Sequence, residues 1–431
     1  MSPVPSARAH ALALAAPAAL LALLGLAQLR LVAEPTSGML SQTTIAGVAF
    51  VALLIAGGLQ AGRRGGDPTL FPIAMTLAGI GLVVAVRLDA AASLADAAMR
   101  QVVAVGLGVA AYAVAVNLPS LDWLRRYKYT WLAATLVLML ATAAVGQEVN
   151  GARLWLAFGP LRFQPSELAK VTLVVFLAGY AADRRALLGA PWRLGKARLP
   201  PVPYLAPAGL AAAAAMGILL IQNDLGSALL LFGIVITLLW IAVGDVWSSA
   251  AAITLFGVAA WLSLRFVPRV GIRVQNWRDP WAWPQGPGYQ QVQSEFALAS
   301  GGLFGTGLGR GRPDLVPDVR TDFVLSAIGE ELGLVTTAAI ACLFFLLFAR
   351  GVRIGLRGRD PFARTLAVGL SLAIALQAVI IAAGVVRLLP LTGLPLPFVS
   401  YGGSSLLINF GALGLLNRLS QAERRDRAGA A

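Results

Sequence analysis

Along this 431-residue chain, long apolar windows alternate with short polar stretches. A helix of ~17–25 apolar residues is long enough to cross a bilayer, and about twelve such windows recur. They fall near 10–30, 45–62, 68–87, 101–118, 129–146, 164–182, 203–222, 227–244, 246–264, 327–349, 364–386 and 402–418. The first is long and has no clear small-residue cleavage site after it, so it reads as a span rather than a signal peptide. Three punctuated stretches interrupt the pattern. "GQEVNGARLWLAFGPLRFQPSELAK" (146–170) reads as an outer loop running into a helix, with Pro165 near the first turn and Ser166 and Glu167 beside it. "LIQNDLGSALL" (220–230) reads as a tight turn through Asn223, Asp224 and Gly226 that caps the next helix. "LPLTGLPLPFVSYGGSSLL" (389–407) sets prolines and glycines in membrane-level sequence. Non-helical backbone at that depth is tolerated only when buried in protein or lining a cavity.

Composition turns the pattern into a class. Hydrophobic residues make up 58% and charged residues 13%, against roughly 25% charged in soluble domains. The chain is therefore read as an all-α polytopic membrane protein. Its net charge of +14, from 34 basic and 20 acidic residues, reads as membrane topology and not as nucleic-acid binding. With the N-terminus inside, the inner segments gather Arg8, Arg63, Arg64, Arg125, Arg126, Lys128, Arg184, Arg185, Arg193, Lys196, Arg198, Arg350, Arg353, Arg357, Arg359, Arg364 and the basic tail. The shorter outer loops hold only Arg30, Arg87, Arg100, Arg153, Arg162 and Arg387. The longest connection, about 265–326, lies outside yet carries Arg265, Arg269, Arg273, Arg278, Arg310, Arg312 and Arg320. Long loops translocate despite their charge, and guanidinium groups suit a phosphate-bearing partner.

Cysteine and histidine usage narrows the chemistry. Cys342 is the only cysteine, so intramolecular disulfides and thiolate metal sites are excluded. His10 is the only histidine, so a general base outside the membrane must be a carboxylate. The outer-side candidates are Glu34, Asp89, Asp96, Glu148, Glu167, Asp224, Asp279, Glu295, Asp314, Asp318, Asp322, Glu330 and Glu331. "VPDVRTDFVLSAIGEELGLV" (316–335) concentrates four of them and Arg320 where an apolar segment begins. Position alone leaves Asp322 either a helix N-cap or a functional carboxylate.

The motifs "NGARLW" with "QPSELAK", then "GYQQVQSEFALASGGLFGTGLG", "TDFVLSAIGEELG" and "LPLTGLPLPFVSYGGSS" follow one another in the order seen in the SEDS family. These are the shape, elongation, division and sporulation proteins, RodA and FtsW among them. The resemblance covers roughly 68–420. It implies a SEDS-type bundle of ten transmembrane helices with a large extracellular loop. This chain would add about two helices in 1–67, ahead of a membrane glycosyltransferase domain at 68–420, and a basic cytoplasmic tail at 421–431. The implied activity is a peptidoglycan glycosyltransferase (lipid II polymerase), at the outer face of the bacterial cytoplasmic (inner) membrane, serving cell elongation and shape or division. The elongation role is favoured by the lack of a long N-terminal tail. Lipid II and undecaprenyl pyrophosphate are the implied substrate and product, and a class B penicillin-binding protein the implied partner. The family's essential aspartate falls on Asp322. One departure is "QNDLGS" (222–227), which lacks the family's usual proline.

The implied reaction joins a sugar 4-hydroxyl to C1 of a lipid-pyrophosphate-linked sugar with inversion. It needs one base and stabilisation of the departing pyrophosphate, and no protein nucleophile. The base expected is Asp322. The substrate-binding candidates on the matched motifs are Arg153, Gln164, Glu167, Lys170, Gln293, Arg310, Arg320 and Ser404, and Arg312 is a further candidate for the pyrophosphate. A divalent cation would suit the hard oxygen chemistry, Mg²⁺ or Mn²⁺, with Asp322 as its ligand. Several readings stay open. Glu167 and Lys170 are either a local ion pair or substrate-positioning residues. Glu330 and Glu331 are either paired with a cation for structure or functional. "GGLFGTGLGRGRP" (301–313) is either a phosphate-contacting backbone or a flexible loop. Trp277, Trp281 and Trp283 are either interfacial anchors or sugar platforms. The rival functions are a lipid II flippase and a non-catalytic scaffold. The lack of an internal repeat and the one-sided position of the best carboxylate favour chemistry.

Overall fold

The structure, a computed structural model, describes residues 7–32, 37–62, 65–92, 97–149, 152–159, 161–188, 192–194, 197–199, 202–244 and 246–428. Glu34, Asp96, Arg63, Arg64 and Lys196 lie outside the described residues. In chain order the helices begin with α1 (Ala7–Val32), α2 (Ser37–Gly62), α3 (Leu70–Ala92), α4 (Ala97–Val116), α5 (Asp122–Arg126) and α6 (Lys128–Val145). There follow α7 (Pro165–Asp183), α8 (Arg185–Leu188), α9 (Val202–Ile221), α10 (Leu225–Val243) and α11 (Val246–Phe266). The last are α12 (Pro268–Arg278), α13 (Tyr289–Gly301), α14 (Val324–Arg357), α15 (Pro361–Val385) and α16 (Gly403–Ala428).

A helix lies at each apolar window of the sequence, but among the described residues 10 are long and apolar enough to cross a membrane. In α11 the described apolar stretch is only Ser249–Leu262. In α16, Asn409, Asn417 and Arg418 dilute the apolar sequence, and all three are buried. That helix faces protein, where such groups find partners, rather than lipid.

The chain forms two compact units. One comprises 1–118, 275–350 and 377–431. In it α16 lies along α4, and α1 packs on α2 and α3. Small residues permit these approaches. A Cβ on Gly414 would sit 2.7 Å from the Tyr112 carbonyl, and one on Gly108 would sit 2.6 Å from the Phe410 ring. The α2–α3 contact is equally close fitting, with Phe71 of α3 filling the space beside Gly57 and Phe50 of α2 lying against Gly79. Residues 386–402 are not helical, and Leu394, Leu396, Phe398, Val399 and Ser400 are buried. The irregular backbone expected there is enclosed by protein over 394–400, while Val386, Leu388 and Leu389 before it are exposed.

The other unit comprises 119–274 and 351–376. Here α7 packs on α6 and α10, and α10 on α9 and α11. The stretch after α6, which the sequence reads as a loop, is a three-stranded antiparallel meander: β1 (Gln147–Val149), β2 (Ala152–Phe158) and β3 (Leu161–Phe163). A short hairpin, β4 (Trp192–Leu194) with β5 (Ala197–Leu199), follows α8. Pro165 stands at the start of α7, where a missing N–H costs nothing. Asn223 turns with φ of 61°, and the Asp224 carboxylate accepts from the Ser227 N–H at 3.0 Å, capping α10.

Candidate active site

In the first unit, the residues before α14 form a tight turn. Asp318, at φ of 53°, offers its carbonyl to the N–H groups of Thr321 and Asp322, both at 3.1 Å. Asp322 is half-buried on this turn, two residues ahead of the first helical residue, Val324. The later part of the 386–402 segment, buried over 394–400, ties down the residues just before Asp322. The Ser400 hydroxyl donates to the Thr321 carbonyl at 2.5 Å, and the Tyr401 N–H to the Arg320 carbonyl at 2.9 Å. Arg320 reaches the opposite way, donating to Asp89 at 2.8 Å and to the Leu88 carbonyl at 3.1 Å, both at the end of α3. Asp89 in turn accepts the Ala98 N–H at 2.7 Å, in the first turn of α4. Asp318 accepts from Gln290 of α13 at 2.9 Å. Asp322 is therefore carried on a turn held from α3, α13 and the segment before α16.

The two glutamates of α14 have a different setting. Glu331 pairs with Arg87 at 2.8 Å and accepts the N–H groups of Gly309 and Gly311 at 3.1 and 3.2 Å. One Glu330 oxygen accepts the Arg312 N–H at 2.7 Å, while Oε2 is buried with no hydrogen-bond partner among the described residues. Thr306 and Gly307 donate to the main-chain carbonyls of Glu330 and Glu331. The glycine-rich loop thus spends its N–H groups on α14. Absent side chains make this possible: a Cβ on Gly311 would lie 2.8 Å from Glu331 Cγ. Just beyond, Gly333 breaks α14 at φ of 76°, and the next N–H groups, of Leu334 and Val335, are satisfied by the carbonyls of Gly302 and Leu303.

In the second unit, Glu167 and Lys170 pair at 2.5 Å, the side chains only 4% and 1% exposed. Gln164 is buried and donates to Ser166 at 2.9 Å, and Ser166 donates to Asp224 at 3.2 Å. Burial pushes the Asp224 carboxyl above the usual range, against the opposing pull of the Ser227 and Ser166 hydrogen bonds and of Arg273.

The remaining sequence candidates are spread out. Arg153 is exposed on β2 and pairs with Glu148 at 3.3 Å. Gln293 is half-buried on α13, and Arg310 is exposed. Arg312 is 70% exposed beside Asp314. Ser404 is buried at the start of α16. Trp277 donates its indole N–H to the Arg387 carbonyl at 3.1 Å, whereas Trp281 and Trp283 are exposed. Among the described residues no group of three or more His, Cys, Asp or Glu side chains could hold a metal ion. Sequence reasoning missed the links from Ser400, Tyr401 and Asp89 to the turn. The "PFVSYGG" motif marked the first two, and nothing local marked the third.

Comparison with known proteins gives the family. The FTSW_RODA_SPOVE model, described as a cell cycle protein, matches residues 68–425. "Peptidoglycan glycosyltransferase RodA" of Mycobacterium tuberculosis is 40% identical over 373 residues, 83% of this chain and 79% of that protein. "Probable peptidoglycan glycosyltransferase FtsW" of Geobacter metallireducens is 36% identical over 325 residues, 74% of this chain and 84% of that protein. Among solved structures, a chain from "Structural coordination of polymerization and crosslinking by a peptidoglycan synthase complex" matches with a TM-score of 0.68 at 29% identity, covering 84% of this chain and 99% of its own. The Thermus thermophilus rod shape determining protein RodA matches with a TM-score of 0.60 at 29% identity, covering 85% and 98%. A chain matched over residues 68–425, with its own helices at every apolar window, belongs to the FtsW/RodA/SpoVE family of cell cycle proteins.

Proposed function

We propose that the protein is a peptidoglycan glycosyltransferase that polymerises lipid II at the outer face of the bacterial cytoplasmic membrane, with Asp322 as its general base. The observation that carries the reading is the tethered turn. A half-buried carboxylate stands immediately before a membrane-spanning helix, and Ser400, Tyr401 and Asp89 hold the residues beside it. Rigid placement of a base is what a displacement between two bound sugars requires. The 4-hydroxyl of the acceptor sugar attacks C1 of the donor sugar and passes its proton to the Asp322 carboxylate. The bond between C1 and the pyrophosphate oxygen breaks, undecaprenyl pyrophosphate leaves with the bonding pair, and the α-linked donor becomes a β-linked product. Exposed Arg310 and Arg312 are the cations nearest in sequence to the turn that are available to the leaving pyrophosphate, since Arg320 is committed to Asp89.

The names of the relatives support this activity, and the 40% identity to a RodA supports a role in elongation and shape. The match to a peptidoglycan synthase complex supports a class B penicillin-binding protein as partner. The test is lipid II polymerisation by the purified chain with that partner bound and its transpeptidase blocked. Wild type should make glycan strands and Asp322→Asn, folded and partner-bound, none. Equal product from both would remove Asp322 from catalysis. No product from either would favour a lipid II flippase.

A further inference from the structure

The proposed chemistry leaves one feature of the second unit unused. At the end of this unit formed by the C-termini of α7 and α10, an open cleft lies between Ala181, Ala182, Ile241, Ala242, Leu356 and Val368. Arg185 and Arg364 line it together with Thr365. Both arginines are exposed, and among the described residues neither forms an ion pair with a carboxylate. The acids nearby in sequence are already engaged. Asp183 pairs with Lys128 at 2.6 Å and Arg125 at 2.8 Å. Asp360 caps α15 through the Ala363 N–H at 3.0 Å and lies 3.8 Å from Arg125. The cleft thus combines uncompensated guanidinium groups with small apolar walls on a membrane protein. The alternation of basic loops puts it at the inner ends of the spans.

We propose that this cleft binds an anionic phospholipid, with Arg185 and Arg364 on the headgroup phosphate and the apolar wall along the start of an acyl chain. Guanidinium is the side chain suited to phosphate oxygens, and basic pockets between helices at the inner membrane surface recognise anionic headgroups. A free phosphate would use the arginines but would gain nothing from Ala181, Ala182, Ile241 and Val368. The walls therefore favour the lipid.

The test is native mass spectrometry of the detergent-solubilised full chain with phosphatidylglycerol, with phosphatidylcholine of the same acyl chains, and with inorganic phosphate. Wild type should retain phosphatidylglycerol in preference to the other two. Arg185→Gln with Arg364→Gln should weaken that retention roughly twenty-five-fold, about fivefold for each guanidinium. Arg353→Gln, at an exposed arginine outside the cleft, should leave it unchanged. Neither cleft arginine is in an ion pair among the described residues, so a shared melting temperature with wild type checks folding. Equal retention by the double variant, equal loss in Arg353→Gln, or equal binding of phosphatidylcholine would overturn the site. Inorganic phosphate bound as well as phosphatidylglycerol would overturn the lipid in favour of a soluble anion.

Discussion

Arg320 Nη1 lies 2.8 Å from Asp89 Oδ1, joining two positions 231 residues apart across the first unit. Asp89 is only 3% exposed and also accepts the first-turn N–H of α4. The pair therefore fixes the Asp322 turn to the α3–α4 corner. Arg320→Lys retains charge but loses the fork that reaches both Asp89 and the Leu88 carbonyl. It should lower the polymerisation rate about tenfold with a melting temperature close to wild type. Arg320→Gln leaves a buried carboxylate unpaired. In a cycle with Asp89→Asn it should show coupling of about 1–3 kcal/mol. Additive effects on thermal unfolding would mean the contact does not hold the turn.

The glycine-rich loop yields a second expectation. Gly309 and Gly311 donate to Glu331, whose other tie is Arg87. Glu331→Gln weakens both, because hydrogen bonds to a charged acceptor are roughly twice as strong as neutral ones. Amide exchange at Gly309 and Gly311 should quicken at least about tenfold, while the α13 amides from Val292 to Ala297 keep their protection. Unchanged exchange at the two glycines would show that the loop holds its shape without the carboxylate.

How far these relations could be read from sequence depends on their range. The apolar windows located the helices because lipid-crossing segments must be long and apolar. The Asp224 cap and Pro165 start were legible because capping acts over a few residues. The β1–β3 meander was not, since two of its three strands are only three residues long and resemble an ordinary loop. Nor were the bonds from Ser400 to Thr321 and from Arg320 to Asp89, because no local period marks partners 79 and 231 residues away. Arg320 reads in sequence as one of many free loop arginines, and only the fold commits it to Asp89.

Gly333 and Gly302 separate strain from collision. Both have positive φ, 76° and 52°, where an alanine costs about 1–3 kcal/mol. A Cβ on Gly302 meets nothing within 4 Å. One on Gly333 would lie 2.4 Å from the Gly305 nitrogen and 2.5 Å from the Leu303 carbonyl. Gly333→Ala should therefore be the more destabilising by a further ~1–3 kcal/mol, the usual cost of overpacking. Thermal unfolding of the two variants side by side checks this, and equal losses would mean that the α14 break tolerates a side chain.

The Glu167–Lys170 pair admits a sharper test, because stability does not explain its presence. Both side chains are almost fully buried. Removing one partner of a buried ion pair should cost about 3–5 kcal/mol. Replacing both with groups of similar volume is often neutral or stabilising. Glu167→Gln and Lys170→Met should each lower the melting temperature, and the double variant should recover most of the loss. A pair that serves the substrate is needed whether or not it stabilises the fold. The double variant should therefore stay inactive in lipid II polymerisation despite its regained stability. Activity that returned with stability would make the pair a structural clamp on the first turn of α7.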